Sequence, residues 1–325
     1  MAQATIPGAH SFGDLENLRP ELTAYCYRML GSPFDAEDAV QDAFVRAWRG
    51  RDRFEGRAAM RSWLYRIATN VCLDLLKSKK RVTPMDLGPA REPVEANLHV
   101  PNEVTWLEPI PLVLIAPERD PADVAVANES IRLAFVAALQ RLPALQRAVL
   151  ILREVLDWQA SEVAELLETS VASVNSALQR ARATLAGANA GEPGKTRTLS
   201  AADRALLDRY IGAFERYDVN ELTALIKEDA RQSMPPFDLW LEGRDDMMRW
   251  WFGPGILCKG SRVVPAPTAN GMPTFGQYKP SANGGYEPWA LQVLDVSDGR
   301  IAEITFFLDT ERLFPLFGLP LGLGA

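Results

Sequence analysis

Residues 61–81 read RSWLYRIATNVCLDLLKSKKR, a stretch that is apolar at helical spacing, aromatic and strongly basic at once. Leu64, Ile67, Ala68, Val71, Cys72, Leu75 and Leu76 recur at intervals of three and four, which predicts one buried face of a helix. Arg61, Trp63, Arg66 and Lys77 fall outside that stripe. Over 51–81, nine Lys or Arg stand against three acids, a local excess of six positive charges in a chain of 325 residues whose formal net charge is −7. A cationic surface interleaved with Trp63 and Tyr65 suits nucleic acid, because cations hold phosphates while aromatic faces accept unstacked bases. The charges alone leave open a plain solvated face with Trp63 in the core.

Upstream, Phe12, Leu15, Leu18, Leu22, Tyr25, Met29 and Leu30 mark a first helix, with Ser11 as a candidate cap. Gly31-Ser32-Pro33 breaks it, and Asp35 is a candidate N-cap for a second helix. Its apolar stripe is Ala36, Ala39, Val40, Ala43, Phe44, Ala47 and Trp48, and its other face carries Asp35, Asp38 and Asp42. Three helices joined by short turns predict a bundle. Residues 84–129 differ in kind, with eight prolines and nine acids against two arginines, and read as an extended acidic linker. Helical periodicity resumes over 121–141, and Pro143 opens a helix through Leu156. DWQASEVAELLETSVASVNSALQRARATL (157–185) then gives two helical patterns joined near Glu168–Ser170, the spacing of a helix-turn-helix. Its second helix offers Ser170, Ser173, Asn175, Ser176, Gln179, Arg180 and Arg182, groups able to read base edges and hold phosphates. Residues 141–182 carry five Arg and five acids, so this element alone binds DNA weakly. GANAGEPGKTRT (187–198) is a flexible linker.

Beyond Leu199 the pattern changes. Helical periods at 200–216, 218–227 and 243–252 are followed by strand-like runs at 261–266, 273–278, 288–296 and 300–307, the order of an α+β domain. No run of about 18 apolar residues is present to cross a membrane. The N-terminal residues have no basic segment followed by an apolar one, so the chain is expected in the cytoplasm. Cys26, Cys72 and Cys258 are widely spaced and read as reduced thiols. His10 and His99 have no rigid setting, which argues against histidine triads and metal sites, and no cofactor is expected.

AYCYRMLGSPFDAEDAVQDAFVRAWRG (24–50), FEGRAAMRSWLYRIATNVCLDLLKSKKR (54–81) and LPALQRAVLILREVLDWQASEVAELLETSVASVNSALQRARATL (142–185), in this order around an acidic linker, resemble bacterial extracytoplasmic-function (ECF) sigma factors of the sigma-70 family. MPPFDLWLEGRDDMMRWW (234–251), ANGMPTFGQY (269–278) and LQVLDVSDGRIAEITFFLD (291–309) resemble the SnoaL-like (NTF2-like) extension that some of these factors carry. The resemblance implies a multidomain chain with two all-α sigma domains, a helical bundle and a helix-turn-helix, plus an α+β NTF2-like cone. The expected division is a region 2 domain at 11–83, the acidic linker at 84–129, a region 4 domain at 130–187, a second linker at 188–198 and the SnoaL-like domain at 199–325.

The same resemblance implies core RNA polymerase and promoter DNA as partners. Asp38, Gln41, Asp42, Arg46 and Trp48 would face the β′ clamp helices, and region 4 the β flap. Phe54, Glu55, Gly56 and Asn70 would form the pocket for a flipped −10 base, with Arg61, Trp63, Arg66 and Lys77 along the strand. Ser173, Asn175, Ser176, Gln179, Arg180 and Arg182 would read the −35 element, although Asn175 and Ala177 stand where many relatives place arginines. The acidic linker would thread the polymerase cleft. In the C-terminal cone, Met234, Trp240, Trp250, Trp251, Phe275, Tyr278, Trp289 and Phe307 are candidates for a pocket that takes a small-molecule ligand, unless they simply fill the core. The domain is otherwise expected to act by intramolecular contact. Asp229, Asp238, Asp245, Asp246 and Arg244 are the set a hydrolase or cyclase would need, and a conventional helix-turn-helix regulator is the further alternative. The expectation adopted is a sigma factor that is not an enzyme.

Overall fold

The computed structural model describes residues 12–51, 58–116, 130–187 and 200–324. These form two compact units, one from residues up to Lys79 together with Leu114–Ala116 and Ala138 onward through the helix-turn-helix, the other from Lys80–Val113, Ser130–Ala137 and the C-terminal domain. Among the described residues, no helix is long and apolar enough to cross a membrane, and no group of three or more His, Cys, Asp or Glu could hold a metal.

In the first unit, helix α1 (Arg19–Leu30) ends at Gly31, whose left-handed φ of 70° lets its N–H reach the Tyr27 carbonyl at 2.7 Å. Helix α2 (Pro33–Gly50) is capped by Ser32, whose Oγ accepts from the Asp35 N–H at 3.2 Å. Asp35 is therefore not the cap: Pro33 fits the first helical position with its fixed φ, which leaves Asp35 in the first turn, paired with Lys79 at 3.0 Å. Helix α3 (Ala58–Leu75) buries Leu64, Tyr65, Ala68, Thr69, Val71 and Cys72 against α1 and α2. It stops six residues short of the expected end, so Lys77, Lys79 and Lys80 lie past it, and Arg81 is buried in strand β1 (Arg81–Val82) of the second unit. Helices α4 (Leu133–Gln140) and α5 (Ala144–Leu150), a π turn at Ile151–Val155, α6 (Ala160–Leu166) and α7 (Val171–Gly187) complete the helical part. Arg147 of α5 is only 3% exposed, and among the described residues no carboxylate pairs with it. It donates instead to the Met29 carbonyl, to Gln140 Oε1 at 2.6 Å, and to the Gln140 and Leu142 carbonyls at 3.0 and 3.1 Å. Burial pulls its pKa down to about 10.

The second unit is α+β. Helices α8 (Ala201–Arg216), α9 (Val219–Leu225) and α10 (Arg244–Phe252) pack on a six-stranded sheet ordered β4-β3-β8-β7-β6-β5, with α11 (Thr310–Leu316) following it. The strands are β3 (Ile226–Ser233), β4 (Trp240–Glu242), β5 (Arg262–Ala269), β6 (Met272–Pro280), β7 (Tyr286–Ser297) and β8 (Arg300–Phe307), antiparallel except for β3 on β8. β3 overturns the expected continuation of a helix to 227. Its sequence, IKEDARQS, carries no clean alternation, and pairing on both edges imposes the strand.

Residues 84–113 are not a free linker in this structure. β1 pairs in parallel with β2 (Thr105–Trp106), and Arg81 donates to the Trp106 carbonyl and to Glu108 at 3.2 Å. The Arg91 guanidinium grips Asp238 at 3.0 and 3.3 Å, and the Trp240 indole donates to the Gly88 carbonyl at 2.9 Å. At the β5–β6 turn, Asn270 and Gly271 take φ of 53° and 73°, the two-residue hairpin that Asn-Gly favours. The fully buried Asn270 carboxamide accepts from the Ile110 N–H at 3.0 Å and donates to the Ile131 carbonyl at 2.5 Å, while its own N–H donates to the Ile110 carbonyl at 2.9 Å.

Arg147→Met keeps the apolar stem and removes every donor from four acceptors; it is expected to cost about 3 kcal/mol, read as a lower urea midpoint at unchanged slope. A loss below about 0.5 kcal/mol would show that the guanidinium does not hold the unit together.

Glu303 sits in register with Asp295 of β7 and Arg231 of β3, and burial followed by Asp295 raises its carboxyl to about 7 from an ordinary 4.5. The unfolded chain ionises first, so the folded form loses stability as pH rises from 4.5 to 7, and the loss persists above. Glu303→Gln is therefore expected to leave the melting temperature unchanged near pH 4 and to raise it progressively toward pH 8. A pH-independent difference would contradict this.

Candidate nucleic-acid interface

Helix α3 carries two outward stripes. Trp63, Arg66 and Asn70 follow one another at intervals of three and four and share a face. The Trp63 ring lies at the end of α2, where a Cβ on Gly50 would come within 3.2 Å of it, and the indole is half-buried. Arg66 is likewise half-buried and Asn70 exposed.

Arg61 belongs to the other stripe. Its Nε donates to Glu21 Oε1 at 2.8 Å, the Tyr65 hydroxyl donates to the same oxygen at 2.6 Å, and the Trp158 ring from the turn before α6 closes over both. The Arg61 guanidinium lies 5.5 and 5.7 Å from the Tyr65 and Trp158 ring centres, and those rings are 5.1 Å apart. Burial, then Glu21, pushes the Tyr65 phenol well above its usual 10. Lys77, beyond the helix, pairs with Asp74 at 2.8 Å. The expected strand-binding set is thus divided: Trp63, Arg66 and Asn70 stand together, Arg61 is engaged elsewhere, and Phe54, Glu55 and Gly56 lie outside the described residues.

In the helix-turn-helix, a capping box at Gln159 and Glu162 starts α6, and Glu168 takes a left-handed φ of 51° in the turn. Ser170 Oγ accepts from the Ser173 N–H at 3.1 Å at the head of α7. Val174, Ala177, Leu178 and Ala181 are buried. Ser173, Asn175, Ser176, Gln179, Arg180 and Arg182 occupy the opposite, exposed half of the helix. Arg180 donates to Ser176 Oγ at 2.6 Å and Arg182 is paired with Glu154, which leaves Asn175 and Gln179 in the middle of the exposed face.

On α2, Asp38, Gln41 and Arg46 are exposed, and Asp42 is held by Arg46 at 2.8 Å. Trp48 is 54% exposed rather than part of a core stripe, with the Arg51 guanidinium 4.5 Å above its ring. With Leu15, Glu16, Arg19, Gln41, Phe44 and Val45 it lines an open groove of about 370 Å³. Phe44 was indistinguishable by spacing from the buried alanines, yet it forms this wall.

The C-terminal domain encloses a cavity of about 30 Å³ to which Met234, Trp250, Trp251 and Trp289 contribute. Trp240, Phe275, Tyr278 and Phe307 do not line it. Strand alternation turns Phe306 inward and Phe307 away, Tyr278 donates to the Pro320 carbonyl at 2.9 Å beside Phe314, and Trp240 lies under Gly88. The acidic set does not converge on it either: Asp238 binds Arg91, with His99 Nδ1 at 3.5 Å, Asp246 binds Arg249, and Asp229 is exposed near Lys227. Gln232 lines the cavity and was missed, because a glutamine in a charged stretch carries no sequence signal.

The Sigma-70 region 2 family model matches residues 15–82, and that of Sigma-70, region 4 matches 132–185. The ECF RNA polymerase sigma factor SigG of Mycobacterium tuberculosis is 43% identical over 317 residues, 94% of this chain and 82% of its own. SigJ of the same organism is 27% identical over 310 residues, 90% of this chain and 89% of its own. The crystal structure of the Mycobacterium tuberculosis extracytoplasmic function sigma factor SigJ aligns with a TM-score of 0.62 at 23% identity, covering 96% of this chain and all of that one, so the likeness of fold runs through the C-terminal domain. With both sigma-70 regions in place and nearly its whole length shared with SigG, the chain belongs to the ECF RNA polymerase sigma factors.

Proposed function

We propose that the chain directs core RNA polymerase to promoters and opens them, with α2 on the β′ clamp helices, region 4 on the β flap and the −35 element, and α3 on the displaced −10 strand. The observation that carries this reading is the Trp63–Arg66–Asn70 stripe: an aromatic edge, a cation and an amide in a row along a helix that buries Leu64, Ala68, Val71 and Cys72. Unstacking a base costs a few kcal/mol, and stacking with hydrogen bonds to an extruded base offsets that loss. The exposed Trp48 and its groove provide an apolar seat next to Asp38 and Asp42 for a large partner, which reconciles a net acidic chain with DNA binding. Arg61 joins the strand only after Trp158 leaves it. The working division into region 2 (11–83), linker, region 4 (130–187) and C-terminal domain (199–325) follows this assignment, and the chain acts in the cytoplasm, where polymerase is.

The C-terminal domain modulates rather than catalyses. None of the described residues lining its cavity is a carboxylate, histidine, lysine or arginine, and burial raises both the Tyr217 phenol and the Cys258 thiol, so no general base or thiolate is at hand near neutral pH.

Run-off transcription by core polymerase over a pool of promoters, with and without the chain, tests the central reading; transcripts are expected only with it. Trp63→Ala is expected to reduce promoter opening, read by permanganate footprinting, at least tenfold while polymerase–promoter affinity changes less than threefold. Equal losses in both would remove Trp63 from strand capture. Trp158→Ala should raise the affinity of the free chain for a −10 non-template oligonucleotide several-fold; an unchanged Kd would show that Trp158 does not mask Arg61.

A further inference from the structure

The exposed side of α7 has a narrow chemistry. Ala177, where the family resemblance led one to look for a base-reading side chain, is 3% exposed and packs inward with Val174, Leu178 and Ala181. The two cations of the helix are engaged: Arg182 pairs with Glu154, and Arg180 Nη1 donates to Ser176 Oγ at 2.6 Å. Ser173 Oγ shares a 2.9 Å bond with Ser170 Oγ inside the first turn. What remains on the surface are the amides of Asn175 and Gln179, one turn apart, and the methyl of Ala172 beside them. Among the described residues, neither amide has a hydrogen-bond partner. The helix carries no acid, so nothing on it repels a phosphate.

These groups have definite counterparts on DNA. A primary amide sets a donor beside an acceptor and so matches the N6 amino group and N7 of adenine in the major groove. Guanine shows two acceptors there and is matched by a cation such as arginine. An exposed methyl complements the C5 methyl of thymine. We propose that α7 selects A·T pairs: Asn175 and Gln179 each hold the major-groove edge of one adenine, Ala172 lies against a thymine methyl, and the arginines serve phosphates rather than bases. Residues one turn apart are separated by about 6 Å along the helix axis, against roughly 3.4 Å per base pair. The two adenines therefore fall within about three consecutive base pairs. This readout rests on region 4 meeting the −35 element, as proposed above, and adds to it the identity of the bases and of the side chains that distinguish them.

The test uses the full chain with core RNA polymerase and a promoter transcribed only in its presence, its −35 region randomised and each template barcoded in the transcribed part. Templates with two A·T pairs within three consecutive positions are expected to dominate the transcripts. Asn175→Ala should lower the preference at one of those pairs about tenfold and leave the other intact. Gln179→Arg should turn the other preference from A·T to G·C, while Arg180→Ala should lower output from all templates evenly. All three side chains are on the surface, so the fold is retained. Replacing the selected adenines by 7-deazaadenine, which keeps the base pair and removes N7, should cut output about tenfold, and in Asn175→Ala that loss should vanish at one adenine. Transcription indifferent to the −35 bases, a preference for G·C, preferences unchanged in both Asn175→Ala and Gln179→Arg, or full output from the 7-deazaadenine template would each overturn the proposal while leaving the sigma reading in place. No transcript from any template would overturn the sigma reading itself, and the base readout with it.

Discussion

Arg147 can be buried with its charge only because carbonyl oxygens surround it. The acceptors come from the C-terminal end of α1, from Gln140 and from Leu142, where helix ends leave carbonyls that need donors. One guanidinium therefore satisfies the end of a region 2 helix and the start of region 4 together, and Gln140 adds a bond back to the Arg28 carbonyl. A pairing of this type is specific because each guanidinium–carbonyl bond must replace a bond to water with the right geometry. In the same unit, the Trp158 and Tyr65 rings lie 5.1 Å apart with Arg61 beside both.

The helical half was largely legible in the sequence because its information is local. Three- and four-residue spacing gave α1, α2, α3 and the helix-turn-helix, and the exposed residues of α7 fell where the period placed them. Errors arose where a distant partner decides. Arg81 looked like one more cation on a basic helix, but Trp106 and Glu108 recruit it into the second unit. Strand β3 begins where the helical period was carried on to 227, and only pairing with β4 and β8 makes it a strand. The proline-rich stretch lacked periodicity because its order comes from side chains elsewhere, Asn270, Asp238 and Trp240, and periodicity reports only order that a segment makes for itself.

The cavity shows the same division of labour at smaller scale. Composition pointed to tryptophans, and Trp250, Trp251 and Trp289 are there, but aromatic content cannot separate a wall from a core. Direction along a strand can, and it exchanged Phe307 for Phe306. Gln232, one of the two amides of the wall, lies on the very strand that sequence patterning missed.

The Asn270 clasp also fixes an order of events. Asn270 follows Ile110 by 160 residues and Ile131 by 139. At about 5–20 residues per second of synthesis, the linker exists for roughly 7 to 30 s before the group that binds it has been made. The helical segments through α7 are completed within that interval, while the Ile110 and Ile131 backbone groups still lack the side chain that binds them. The clasp between the linker and the C-terminal domain can therefore close only late in synthesis, after both helical segments have been made.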